Sequence, residues 1–179
     1  NLNDFTQVNF EINEVLVRRG VALLDLSSTD LVVDFFCGLG NFSLPIATTG
    51  ASVIGYEGEI DLVNQADKNA RLNQLDNQTK FIQMDLFKVD LNFVGKRNFD
   101  KCVIDPPRDG ALNLVKSFDN NSFKTIVYVS CNPATLARDA EVLVHEKGYR
   151  LAGAGIINMF PETSHVEAIA LFQGRDEGS

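Results

Sequence analysis

The chain has 179 residues, is 45% apolar, and carries 16 basic against 24 acidic side chains, for a net charge of −8. That balance excludes a disordered tail and a small disulfide-stapled scaffold, and the length suffices for one domain with its own core. No apolar run reaches the ~18 residues of a membrane span. The acidity argues against this piece alone gripping nucleic acid, because neutralising phosphates takes Lys and Arg.

The first residue is Asn rather than Met and no secretory signal follows, so the chain reads as a fragment or processed form. Cys37, Cys102 and Cys131 are odd in number and far apart, without CxxC spacing. Neither a disulfide framework nor a metal site is expected, and a reducing cytoplasm is the expected location.

Residues 9–26 carry Phe10, Val15, Leu16, Val21 and Leu24 at roughly helical spacing. "LVVDFF" (31–36) is a short apolar run ending in Gly-rich sequence, hence a buried strand. "NFSLPIATTG" (41–50) predicts a short helix, with Pro45 in its first turn and Gly50 at its end. "SVIGYE" (52–57) is a second strand, and 60–75 a helix with one polar face. "KFIQMD" (80–85), "KCVIDPP" (101–107) and "FKTIVYVS" (123–130) are further strands. Residues 134–148 predict a helix closed by Gly148. Two β-like runs, "YRLAGAGIINMF" and "HVEAIALF", end the pattern with only "PETS" between them.

This alternation predicts an α/β fold with one open, mostly parallel sheet and helices on both faces. The last two runs should pair antiparallel, as a hairpin closing one edge. A helical lead-in over 1–28 and a core over 29–179 make up a single domain, with no internal repeat.

Ligands of open α/β sheets bind at the carboxyl ends of the strands. At the first such end, "DFFCGLGNF", Gly38 and Gly40 let backbone approach a ligand. A dinucleotide fingerprint would put a third glycine where Ser43 stands. Glu57 ends the second strand, where an acid can hold a ribose diol, and Asp85 ends the third, where a polar group can meet an adenine amine. The Gly loop alone could be a plain turn. The three together suit a nucleoside without diphosphate, such as S-adenosylmethionine.

"IDPPRDG" (104–110) ends the fourth strand. Asp105 precedes two prolines that fix an extended, donor-poor backbone. Amino-methyltransferases of nucleic acids carry an aromatic after Asp-Pro-Pro, and Arg108 stands there instead; Asp105 could equally be a strand cap. "YVSCNPATLARDA" (128–140) delivers Cys131 to the same sheet edge. Asn132 is a candidate N-cap and Pro133 a candidate N1 residue. A thiol at the positive end of a helix is placed to react. Cys102, mid-strand, reads as packing, and Cys37 as a small residue beneath the cofactor. In "HVEAIALF", His165, Glu167, Ile169 and Leu171 share a face, and from the strand alone Glu167 reads as a strand-end charge.

"DFTQVN", "DFFCGLGNFSLP", "GYEG", "NARLN", "IDPPRDG", "YVSCNPATLARD" and "MFPETSHVEAIALF" occur in the order found in the RNA 5-methyluridine methyltransferases, from about Asp4 to Phe172. The chain resembles that family, and most of all its branch acting on 23S ribosomal RNA, with the transfer-RNA branch the nearest alternative. The resemblance implies a Rossmann-like class I fold with a seven-stranded sheet, S-adenosyl-L-methionine as methyl donor, and transfer to uracil C5. It implies Cys131 as the nucleophile that adds to uracil C6 and Glu167 as the base that removes the C5 proton. Gln7, Phe36, Asn41, Glu57 and Asp85 resemble the family's cofactor contacts, and Asp105 stands at the junction of cofactor and uracil. Phe5 is a candidate platform for a flipped-out base and equally a core contact; His165 has no assigned role. Pro107 departs from a frequent Ala, which should alter loop rigidity more than chemistry.

Family members carry an RNA-binding region upstream, and the ribosomal-RNA branch an iron–sulfur segment; neither is in this chain, so any iron–sulfur cluster would belong to the missing N-terminal part. Weak binding of ribosomal RNA by the fragment, a monomer, and no membrane association are the expectations. Competing readings are an amino-methyltransferase using the DPPR motif, a non-catalytic S-adenosylmethionine-binding module and, more distantly, a dehydrogenase.

Overall fold

The computed structural model describes residues 2–89, 98–157 and 166–174, with side chains from residue 13 onward. The elements alternate in chain order. Helix α1 (Leu2–Leu24) leads into β1 (Leu31–Phe35), α2 (Ser43–Ala47), β2 (Ser52–Glu57), α3 (Ile60–Leu72) and β3 (Thr79–Gln83). Then follow β4 (Lys101–Ile104), α4 (Leu112–Lys116), β5 (Thr125–Ser130), α5 (Pro133–Glu141), β6 (Arg150–Ile157) and β7 (Glu167–Gln173).

The seven strands form one sheet in the order β3-β2-β1-β4-β5-β7-β6. Strands β1 to β5 run parallel; β7 is antiparallel to both β5 and β6. The expected C-terminal hairpin is thus present, with β7 inside and β6 at the edge. The chain leaves β1 toward β2 on one side and returns to β4 on the other. That reversal opens a crevice at the carboxyl ends of β1 and β4, where such sheets take ligands.

Burial on both faces explains why the central strands are almost wholly apolar. Val33, Phe35, Ile104 and Tyr128 face a core completed by Leu114, Val115, Leu136 and Leu143 from the α4–α5 side. Val32, Val103, Val127 and Val129 face the opposite layer, completed by Leu16, Val17, Leu24, Phe42 and Ile46 from α1 and α2. Those two helices touch closely: a Cβ on Gly20 would lie 2.7 Å from the Phe42 ring. Helix α3 packs Val63, Ala66 and Ala70 against Phe81.

Several boundaries differ from the sequence reading, each for a local reason. The helix expected over 134–148 is α-helical only to Glu141 and continues as a π-turn over Val142–Glu146, closed by the Lys147 amide on the Val142 carbonyl at 3.1 Å. The helix expected over 41–50 is shorter. Strand β3 stops at Gln83 and β4 at Ile104, so Asp85 and Asp105 lie in the loops just beyond. Helix α4 was not anticipated, since five residues are too few for a periodicity. The "PETS" turn and His165 lie outside the described residues, as do the side chains of Phe5 and Gln7, whose backbone is in α1.

Candidate active site

The β1 end is built from unusual backbone. Phe36 has φ +63°, a left-handed conformation rare for a bulky side chain, and Gly38 and Gly40 follow at +53° and +90°. A Cβ on Gly38 would meet nothing within 4 Å, so that glycine faces open space. A cleft of about 540 Å³ lies here, lined by Phe36, Glu57, Gly58, Asp85, Phe87, Asp105 and Pro107 among others. That volume falls within the range of small-molecule sites, about 300–1,000 Å³.

Glu57 braces the loop from the β2 end. One carboxylate oxygen accepts from the Gly38 amide at 3.0 Å and the other from the Glu59 amide at 3.1 Å. A carboxylate offers about four acceptor sites, so two remain for a diol. Asp85 accepts from the Phe87 amide at 3.1 Å, which turns the chain and brings the Phe87 ring to 5.5 Å from that of Phe36. Phe87 carried no signal in the sequence, because it sits in a loop without periodicity. Asn41, expected at the cofactor, is not in the cleft lining. Its exposed amide pairs reciprocally with Asn13 of α1, at 2.8 and 2.9 Å.

Acidic groups crowd this end of the sheet. Asp34, wholly buried in β1, accepts from the Ser43 hydroxyl at 2.6 Å, while its Oδ1 has no hydrogen-bond partner among the described residues. Burial pushes the Asp34 carboxyl up to about 7 against the Ser43 bond, with the charges of Asp105 and Glu57 adding to the rise. Asp105 is likewise pushed up to about 7, first by burial and then by the charge of Glu167. Ser43, the residue that breaks the dinucleotide fingerprint, is therefore the partner of the motif's own aspartate.

The chemical end lies beyond β5. Cys131 is half-buried, whereas Cys37 and Cys102 are buried with thiols pushed up chiefly by desolvation. Asn132 has extended backbone and accepts from the Ala134 amide at 3.1 Å, and Pro133 opens α5, so the expected cap is present. Ser130 pairs with Ala168 across the antiparallel β5–β7 ladder. That pair ends the ladder, with Cys131 the next residue after Ser130 and Glu167 the one before Ala168. Cys131, Glu167 and Asp105 thus follow or open strands at one end of the sheet, and Asp105 feels the charge of Glu167.

The loop after β4 is tied to α5. Asn132 Nδ2 and Thr135 Oγ1 reach the Arg108 carbonyl at 3.2 and 3.3 Å. Arg138 Nη2 donates to the Asp109 carbonyl at 2.9 Å. Asp139, fully buried, accepts from the Ala111 amide at 2.7 Å, the Tyr128 hydroxyl at 2.5 Å and Arg138 Nε at 2.9 Å. A charged residue three positions after Leu136, on the helix face that packs inward, was the one hint of this in the sequence.

Sheet order and cleft together define the Rossmann-like methyltransferase fold. The methyltransferase domain of a bacterial Hen1 superposes with a TM-score of 0.70 at 13% identity, over 91% of this chain and 98% of that one. The Pyrococcus abyssi tRNA (uracil-54, C5)-methyltransferase, solved with S-adenosyl-L-homocysteine, superposes with a TM-score of 0.75 at 31% identity, over 89% of this chain and 38% of that one.

The chain belongs to the tRNA (uracil-5-)-methyltransferase family, whose profile matches residues 1–175. Among curated relatives, the 23S rRNA (uracil(1939)-C(5))-methyltransferase RlmD of Aromatoleum aromaticum is 57% identical over 95% of this chain and 40% of its own length. The enzyme of that name from Nitrosospira multiformis is 53% identical, over 95% and 39%. The chain therefore spans about two fifths of the length of these relatives. Among the described residues no helix is long and apolar enough to cross a membrane, and no cluster of His, Cys, Asp or Glu could hold a metal ion.

Proposed function

We propose that this chain is the catalytic domain of an enzyme that methylates C5 of a uridine in 23S ribosomal RNA. The observation that carries the proposal is the half-buried Cys131 just before α5, at the end of the β5–β7 ladder where Glu167 opens β7 and at the same end of the sheet as the Asp105 cleft. The identity of 57% to a relative named for that reaction supports the ribosomal substrate over the transfer-RNA one, to which the solved neighbour at 31% points.

The cleft suits S-adenosylmethionine. Glu57 would hold the ribose hydroxyls with its two remaining acceptor sites, Asp85 the adenine amine, and Phe36 the ring face. The negative charge available at Asp105 would meet the cationic end of the ligand. When bound, this donor supplies an electrophilic methyl group.

The chain's own residues do the rest. Uracil C5 is a poor nucleophile. Addition of the Cys131 thiolate to C6 moves the C5=C6 electron pair toward C5 and O4, so that C5 can form its bond to the methyl carbon. Glu167 then takes the C5 proton. The released electron pair restores C5=C6 and expels the Cys131 thiolate, which leaves the enzyme ready for another turnover. The target base must leave its stack to reach Cys131. The grip on RNA would come chiefly from upstream regions of the longer protein, in keeping with the net charge of −8 here.

The test is a covalent trap. The full-length protein is mixed with S-adenosylmethionine and a ribosomal RNA fragment containing 5-fluorouridine, then run on a denaturing gel. Fluorine at C5 cannot leave as a proton, so the adduct persists. A shifted band that needs Cys131 is expected. Absence of a band on both ribosomal and transfer RNA, from protein that binds the cofactor, would overturn the uracil-C5 reading.

A further inference from the structure

We propose that Asp139 and Arg138 are positioning residues: they lock the loop that carries Asp105 onto the helix that follows Cys131, and so fix nucleophile and cleft carboxylate in one frame. The inference rests on the functional reading above. Neither residue is in the cleft lining, and the role proposed for both is positioning rather than catalysis.

The two chemical groups sit on separate strand ends, and each could shift independently if its loop were free. The structure removes that freedom. Four polar groups of the segment 132–139 grip successive backbone atoms of the β4–α4 loop. Asn132 and Thr135 hold the Arg108 carbonyl, Arg138 the Asp109 carbonyl, and Asp139 the Ala111 amide. Asp139 also accepts from the hydroxyl of Tyr128, which lies on β5 three residues before Cys131. One buried carboxylate thus joins the loop, the strand and the helix. Arg138, bonded to that carboxylate through both Nε and Nη2, supplies its counter-charge, as a buried carboxylate requires.

The loop lies flush on the helix as a result. Gly110 has φ +74°, and a Cβ there would fall 2.7 Å from Arg138 Nη2 and 2.8 Å from Asp139 Oδ2. A turn bond from the Gly110 amide to the Pro107 carbonyl, 2.9 Å, rigidifies the segment between Asp105 and the clamp. A clamp that keeps reacting groups within a fraction of an ångström can be worth about 100-fold in rate, even when it lies away from the chemistry.

The experiment uses the full-length enzyme with Asp139→Asn and Arg138→Lys. The first keeps the shape but weakens the acceptor. The second keeps the charge but loses the fork; Arg138 is partly exposed, so this variant should fold even if Asp139→Asn does not. Two readouts are taken. Hydrogen exchange at the Gly110 and Ala111 amides reports the clamp without any methylation, and should speed up in both variants. Steady-state kinetics on ribosomal RNA should show kcat falling about 10- to 100-fold, with KM and cofactor affinity changed less than about threefold. Unchanged exchange would overturn the clamp. Faster exchange with unchanged kcat, or a loss confined to KM, would overturn its link to the chemistry. Wild-type enzyme that fails to methylate RNA would instead sink the functional reading, and the exchange data would still decide whether the clamp exists.

Discussion

Cys131 and Glu167 flank the Ser130–Ala168 pair that ends the β5–β7 ladder, Cys131 following Ser130 and Glu167 preceding Ala168. Removing either should interrupt the reaction at a different point. Cys131→Ala should abolish both methyl transfer and the 5-fluorouridine adduct while leaving cofactor binding intact on calorimetry. Glu167→Gln should slow turnover about 10²- to 10⁴-fold and let an adduct with ordinary, unfluorinated RNA accumulate on a denaturing gel. A Glu167→Gln enzyme that turns over at the parent rate would remove this residue from the base role.

Glu57 should be tested at the cofactor. Glu57→Gln keeps one acceptor oxygen but loses the charge that strengthens hydrogen bonds from backbone and diol alike. Loss of a charge-assisted bond costs about 1.5–3 kcal/mol, so S-adenosylmethionine affinity should fall roughly 10- to 150-fold by calorimetry. An unaltered Kd would place the ribose elsewhere.

Acid should stabilise the ligand-free protein in one window. Asp34 and Asp105 ionise near 7 when folded and near 3.8 when unfolded. Between about pH 4 and pH 7 the folded chain therefore holds more protons than the unfolded one, and stability falls as pH rises. Below 4 and above 7 these groups add no slope. One such group supplies at most about 1.4 kcal/mol per pH unit. Urea titrations across that range should show the decline, and Asp34→Asn should flatten part of it.

Gly110→Ala should damage the protein through backbone and contact together. Its φ of +74° disfavours any Cβ, and the new methyl would press on Arg138 and Asp139. A loss of about 1–3 kcal/mol is expected in chemical denaturation. Gly153→Ala, where a Cβ meets nothing within 4 Å, is the control that should change little.

The sheet was legible in the sequence because its strands are nearly all apolar and its turns rich in glycine and proline. The cap on α5 was legible for the same kind of local reason, since Asn132 and Pro133 announce a helix start without help from distant residues. What the sequence alone could not give was convergence. Glu167 looks like a solvated strand end until β7 inserts beside β5, and it took a family resemblance to read it otherwise. Asp139 drew no separate reading from the sequence, and bonding to Tyr128 and Ala111 makes it a buried hub. Phe87 gave no signal, because a loop residue has no period. Asn41 stands beside Asn13, a pairing that depends on where α1 crosses α2.

The unequal burial of the three cysteines makes the domain selectively addressable. Cys37 and Cys102 are sealed in the interior with poorly ionising thiols, while Cys131 is half-open to solvent. A maleimide dye or spin label added to this domain should attach at one place, the proposed nucleophile Cys131. If Cys131 is the nucleophile proposed above, the same asymmetry is a vulnerability, because a single electrophile of modest size would block the reaction while the fold stayed intact.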